Sequence, residues 1–144
     1  MAYMKGQGGV NAYQRIGVQS GVMDASPHQL IQMLMQGVLD KAAAAKGYME
    51  QGDIAKKCEH IGWAISIIDG LRASLDKNKG GEIASNLDDL YDYMNRQLLS
   101  ANIKNDADKI DEVIRLMLEI KSAWDAIPPD AAEKMQSGAK QGAV

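Results

Sequence analysis

From Ser26 onward the apolar residues recur at three- and four-residue steps, the spacing of one face of an α-helix. Leu30, Leu34, Val38, Ala42, Ala45 and Met49 form the first stripe, and Ile31, Met35 and Leu39 widen it. Ser26 offers an N-cap oxygen, Pro27 suits the first helical position, and Gln29 completes a capping box with Ser26. Gly52 ends this helix and Asp53 caps the next. The second helix has two stripes: Ile54, Cys58, Ile61, Ile65, Ile68 and Leu75 on one side, Trp63, Ile67, Leu71 and Ser74 on the other. A helix that is apolar on two faces lies centrally in a bundle or keeps one face for another molecule.

Asn78 to Gly81 reads as a turn, with a third helix starting near Ile83. Its stripe runs through Leu87, Leu90, Tyr91, Met94, Leu98 and Ala101, and Tyr93 stands off it, partly exposed. After a turn over Asn102 to Asn105, Asp106 or Asp108 caps a fourth helix. Ile110, Val113, Ile114, Met117, Lys121 and Trp124 face inward there, and Leu116, Ile120, Ala123 and Ile127 broaden the face. Pro128 and Pro129 stop it. No alternating, β-branched pattern competes, so the expected fold is all-α, an antiparallel four-helix bundle. Its expected extent is residues 24–127, between an N-terminal arm (1–23) and a flexible tail (128–144) holding a short helical turn around Ala132 to Met135.

The arm has an uncommon composition. Gly6, Gly8, Gly9, Gly17 and Gly21 break any helix, yet Tyr3, Met4, Val10, Tyr13, Ile16, Val18 and Val22 make it apolar. It reads as a mobile segment that lies on a surface and also leaves it.

At 144 residues the chain fits one domain with a real core. Its net charge of −3 is scattered, which argues against nucleic acid or an anionic membrane as partner. A single Lys5 followed by glycines lacks the apolar run of a signal peptide, and no stretch nears the roughly 20 apolar residues of a membrane span. These features predict a cytosolic protein. The lone Cys58 reads as a small buried apolar residue in a reducing compartment. Phenylalanine is absent and methionine occurs nine times, a residue suited to surfaces that adapt to a partner.

Enzyme chemistry finds little support. A di-metal bundle site wants Glu-x-x-His motifs, and there are none; His28, in a helix's first turn, reads as solvated. Cys58 and His60 lie two apart on a helix, facing different ways, and do not form a nucleophile–base pair. Gly80-Gly81 matches neither phosphate-cradling motif. Asp88-Asp89 suits the start of a helix through its dipole. The chain is expected to have no catalytic activity, cofactor or metal. What remains is apolar surface beyond one bundle's need, a receptor for an amphipathic helix that a mobile arm covers when empty.

These residues resemble the FliS family of flagellin export chaperones over nearly all of 10–127. The segment Asn11-Ala12-Tyr13 through Val18 resembles that family's tyrosine-bearing arm, and Asp24-Ala25-Ser26-Pro27-His28-Gln29-Leu30-Ile31 its first helix start. Met33-Leu34-Met35-Gln36-Gly37-Val38-Leu39 is similar to the signature that follows, although the family usually has Tyr-Asp where Met35-Gln36 stand here. The strongest match is Gly80-Gly81-Glu82-Ile83-Ala84-Ser85-Asn86-Leu87, then Leu90-Tyr91-Asp92-Tyr93-Met94, Leu98 to Asn102 and Ala123-Trp124.

The resemblance implies a bacterial cytoplasmic chaperone that binds the disordered C-terminal segment of flagellin. It would prevent premature polymerisation and present flagellin to the flagellar type III export gate. Expected client-binding residues are Leu30, Leu34, Ile65, Ile68, Leu71, Leu87, Leu90, Tyr91, Tyr93, Met94 and Leu98, with Tyr13, Ile16 and Val18 in the covering arm. Of Tyr91 and Tyr93, two positions apart, at most one faces the core. Met33, Met35 and Met94 let the grooves adapt. The alternatives are a helical adaptor for another amphipathic peptide, and a bundle whose broad faces drive self-association.

Overall fold

The computed structural model describes residues 25–128; the arm and almost all of the tail lie outside them. Four helices follow in chain order: α1 (Pro27–Gln51), α2 (Ile54–Ala73), α3 (Lys77–Lys104) and α4 (Ala107–Ala126). Short connections make neighbours antiparallel. α1 packs most extensively on α2 and next on α4, while α3 packs on α2 and α4. The helices therefore stand in cyclic order, and the α1/α2 seam is diagonally opposite the α3/α4 seam.

Local chemistry sets the ends. Ser26 Oγ accepts from the Gln29 N–H at 3.1 Å, and Gln29 Oε1 accepts from the Ser26 N–H at 2.8 Å, the reciprocal pair of a capping box. Gly52 closes α1 with φ +78°, and Asp53 then accepts from the Lys56 N–H to begin α2. Asp106 is the cap of α4, with Asp108 in its first turn.

The start of α3 corrects the sequence reading. Residues 78–81 are not a simple turn: Asp76 caps a helical turn there, accepting from the N–H groups of Asn78 and Lys79. Gly81, at φ +55° and ψ −130°, then breaks the axis before the main helix continues. At the far end Asn105 takes φ +54°, a left-handed cap.

While Ile54, Cys58 and Trp63 stay exposed, each stripe of α2 contributes to the core, Ile61 and Ile68 from one and Ile67 and Leu71 from the other, all essentially fully buried. They meet Ile31, Leu34 and Val38 of α1, Tyr91, Met94 and Leu98 of α3, and Ile110, Val113 and Met117 of α4 in one core. Burying each of these large side chains contributes about 1.5–3 kcal/mol. Ala42, Ala45, Ala64 and Ala101 are wholly buried. Lys57 is only 5% exposed, and its ammonium donates to the Asn102 carbonyl at 3.0 Å and Asn105 Oδ1 at 3.1 Å. A side chain of α2 thus satisfies the last turn of α3, where carbonyls otherwise lack donors.

Candidate functional site

Among the described residues, an apolar surface lies on each flank of α3. The first is a groove of about 330 Å³ along the α3/α4 seam, lined by Ile83, Leu87, Ile120, Ala123, Trp124 and Ile127, with Glu119 at its edge. Ile83 is 61% exposed at its rim. Leu90, three residues beyond Leu87 on α3, is also exposed.

A clasp between the first turn of α1 and the last turn of α4 fixes the groove's floor. The rings of His28 and Trp124 stack with centroids 5.1 Å apart. His28 Nε2–H donates to the Trp124 carbonyl at 2.9 Å, and Trp124 Nε1–H donates to the His28 carbonyl at 3.1 Å. His28 is therefore a structural latch and not a solvated residue, because Trp124 reaches back to the α1 terminus.

On the other side of the groove, Arg72 Nε donates to Asp88 Oδ1 at 2.8 Å and Lys77 Nζ to Asp88 Oδ2 at 2.9 Å. The helix dipole is thus not the main reason for Asp88. Arg72, more than Lys77, holds its carboxyl below the usual range, and the pair pins the α3 turn that precedes Ile83.

The second surface lies on the α2/α3 seam at the opposite end of α3. Ile54 is 68% exposed, Ile103 is 83% exposed, and Leu99 is more than half exposed. Cys58 is exposed here too, against the sequence reading, its Sγ donating to Asn102 Oδ1 at 3.3 Å. The first turns of α2 lie at the end of the bundle, where its stripe runs out from under α3.

The eleven expected client-binding residues divide by burial. Leu34, Ile68, Leu71, Tyr91, Met94 and Leu98 are essentially fully buried in the core. Leu30, Ile65 and Leu87 are half-buried, and Leu90 is exposed. Tyr91 faces the core, where burial pushes its phenol well above the usual range. Tyr93 is half-buried, and its hydroxyl donates to Glu112 across the α3/α4 seam at 2.9 Å. That hydrogen bond raises the Tyr93 phenol and lowers the Glu112 carboxyl. Of the three methionines, Met33 is exposed, whereas Met35 and Met94 fill the core. Tyr13, Ile16 and Val18 lie outside the described residues.

Sequence reasoning put Ile54, Ile120 and Ile127 on inward stripes and Ile83 at a helix start, and it did not assign these, Leu99 or Ile103 to the groove or the patch. Leu99 and Ile103, four apart and off the main stripe of α3, were the available signal. Among the described residues no group of His, Cys, Asp and Glu could hold a metal ion, and no helix is long and apolar enough to cross a membrane.

A family model described as flagellar protein FliS matches residues 9–131. The flagellar secretion chaperone FliS of Salmonella typhimurium is 52% identical over 125 residues, covering 86% of this chain and 93% of that protein. FliSB of Pseudomonas aeruginosa is 52% identical over 115 residues, covering 80% of this chain and 91% of its own. FliS of Bacillus subtilis is 34% identical over 128 residues, with 88% and 92% covered.

Proposed function

The chain belongs to the FliS family of flagellar export chaperones, and from that membership we propose that it binds the C-terminal segment of flagellin in the bacterial cytoplasm, keeps it from polymerising, and presents it to the type III export gate. The observation that carries this reading is the pair of apolar surfaces flanking α3. Ile83 and Ile103 stand 20 residues apart on that helix, about 30 Å at 1.5 Å per residue.

A disordered client makes such a span necessary. Ordering one helical turn of client costs about 4–8 kcal/mol of backbone entropy at roughly 1–2 kcal/mol per residue. One buried Leu or Ile in that turn contributes about 1.5–3 kcal/mol, with a similar amount from the surface it covers. A turn that seats only one side chain therefore falls at or below break-even. Net affinity needs turns that each bury two or more apolar side chains, and a client that wraps α3 over both surfaces has room for several of them.

In this reading Leu87, Leu90, Ile83 and Ile127 seat one client helix and Ile54, Leu99 and Ile103 another, with the half-buried Leu30, Ile65 and Tyr93 at the margins. The core residues Leu34, Ile68, Leu71, Tyr91, Met94 and Leu98 support these surfaces from beneath. In this reading the arm with Tyr13, Ile16 and Val18 covers part of the client site until flagellin arrives. The chaperone performs no catalysis and needs no cofactor.

The test is a calorimetric titration with the C-terminal segment of the cognate flagellin, with circular dichroism in parallel. One-to-one binding with a gain in helix and a negative heat-capacity change is the expected result. A well-behaved segment that does not bind overturns the assignment of client.

A further inference from the structure

The seam diagonally opposite the α3/α4 groove carries a surface of different chemistry. Tyr48 of α1 and His60 and Trp63 of α2 form a row, with ring centroids 5.0 Å apart for Tyr48–His60 and 6.5 Å for His60–Trp63. A lysine stands over each end. Lys41 Nζ lies 3.7 Å from the Trp63 ring centroid, and Lys56 Nζ lies 5.7 Å from that of Tyr48. Trp63 remains 40% exposed. Of the nearby acidic groups, Asp40 accepts from the Gln36 amide at 2.9 Å, Asp53 accepts from the Lys56 backbone N–H at 3.1 Å as the α2 cap, and Glu59 lies 3.8 Å from His60 Nδ1. A chain of net charge −3 thus presents two ammonium groups on a partly exposed aromatic row.

We propose that this row is a docking surface for a carboxylate-bearing segment of a protein other than the client. The rings of Trp63 and Tyr48 receive apolar carbons of that segment, and its carboxylates pair with Lys41 and Lys56. A carboxylate approaching an ammonium that already sits over a ring keeps the cation–π contact and adds an ion pair. A basic segment meets two like charges instead. A large, partly exposed aromatic ring is also the kind of anchor that dominates protein interfaces. The client surfaces flank α3, so a client seated there leaves the α1/α2 seam open and both partners bind together. That last point alone rests on the proposed function.

The experiment uses the two tryptophans of the full chain as separate reporters. In two-dimensional NMR the indole N–H of Trp63 reports the seam and that of Trp124 the groove. The probe is a synthetic 15-residue helical peptide of Leu and Glu, with a twin carrying Lys for Glu. The acidic peptide is expected to move the Trp63 signal saturably and leave Trp124 unchanged, while the basic twin moves neither. Lys41→Glu combined with Lys56→Glu should weaken that binding at least tenfold, and the milder Lys41→Gln with Lys56→Gln should weaken it less. Both variants should keep the Trp124 response to the flagellin segment.

The proposal is overturned if the acidic peptide leaves Trp63 unmoved, if both peptides shift it alike, or if charge reversal has no effect. Displacement of the acidic peptide by the flagellin segment also overturns it, because the seam would then belong to the client. Loss of the Trp124 response alone would remove the client reading and leave this one standing.

Discussion

Gly81 and Gly62 show how one residue type has opposite meanings at two places. A Cβ built on either meets no side chain or packed neighbour within 4 Å beyond the adjoining backbone. At Gly81 the backbone itself objects, since φ +55° with ψ −130° suits only glycine. Gly81→Ala should lower stability by about 1–3 kcal/mol in urea melts. Gly62 is exposed within α2, so Gly62→Ala should raise stability by about 0.5–1 kcal/mol.

Lys57 is a third kind of residue, buried because its ammonium completes another helix. Lys57→Ala leaves the Asn102 carbonyl and Asn105 amide without that donor and should cost about 1–3 kcal/mol in the same melts. Asp88 adds a pH dependence. Its carboxyl is held down mainly by Arg72, so its contribution to stability is full above the unfolded value of about 3.9 and fades as pH falls through the folded value. Asp88→Asn should therefore destabilise the protein at pH 7, with the gap to wild type closing below about pH 4 in acid-unfolding curves.

At the scale of elements, what could be read in the sequence followed the range of the forces. The start of α1 was legible because Ser26, Pro27 and Gln29 act within four residues of one another. The split between Tyr91 and Tyr93 was legible because two steps along a helix turn a side chain away from the core. The start of α3 was not. Asn78-Lys79-Gly80-Gly81 has the composition of a turn, and only Asp76 as cap and the ion pair from Lys77 to Asp88, eleven residues on, make it a helical turn. His28 was misread for the same reason, since its partner Trp124 is 96 residues away in sequence. Periodicity identified six client candidates that support the core because a stripe marks burial, and burial in the chain's own bundle comes first. The apolar surfaces left outside the core lie where side chains fall off the stripe or where a stripe outruns its neighbour.

Over the whole molecule, the two flanks of α3 should act as one extended site. Ile103 is so exposed that Ile103→Glu should change stability by no more than about 0.5 kcal/mol. The same change removes an apolar contact and places a charge in the interface, so affinity for the flagellin segment should fall at least tenfold by calorimetry. Ile83→Glu at the other end should have a similar effect. If the client wraps α3, the double variant should lose more than either single variant; a client confined to one flank would respond to only one of them.

The exposure of Cys58 also makes the protein its own instrument. It is the only thiol in the chain and stands against Asn102, one residue from Ile103. A maleimide dye would attach there and nowhere else, without any engineered cysteine. Its emission should respond when the client reaches the far flank of α3, while the Trp124 indole follows the near one. Comparing the two signals in a stopped-flow trace would give the order in which the client's segments land.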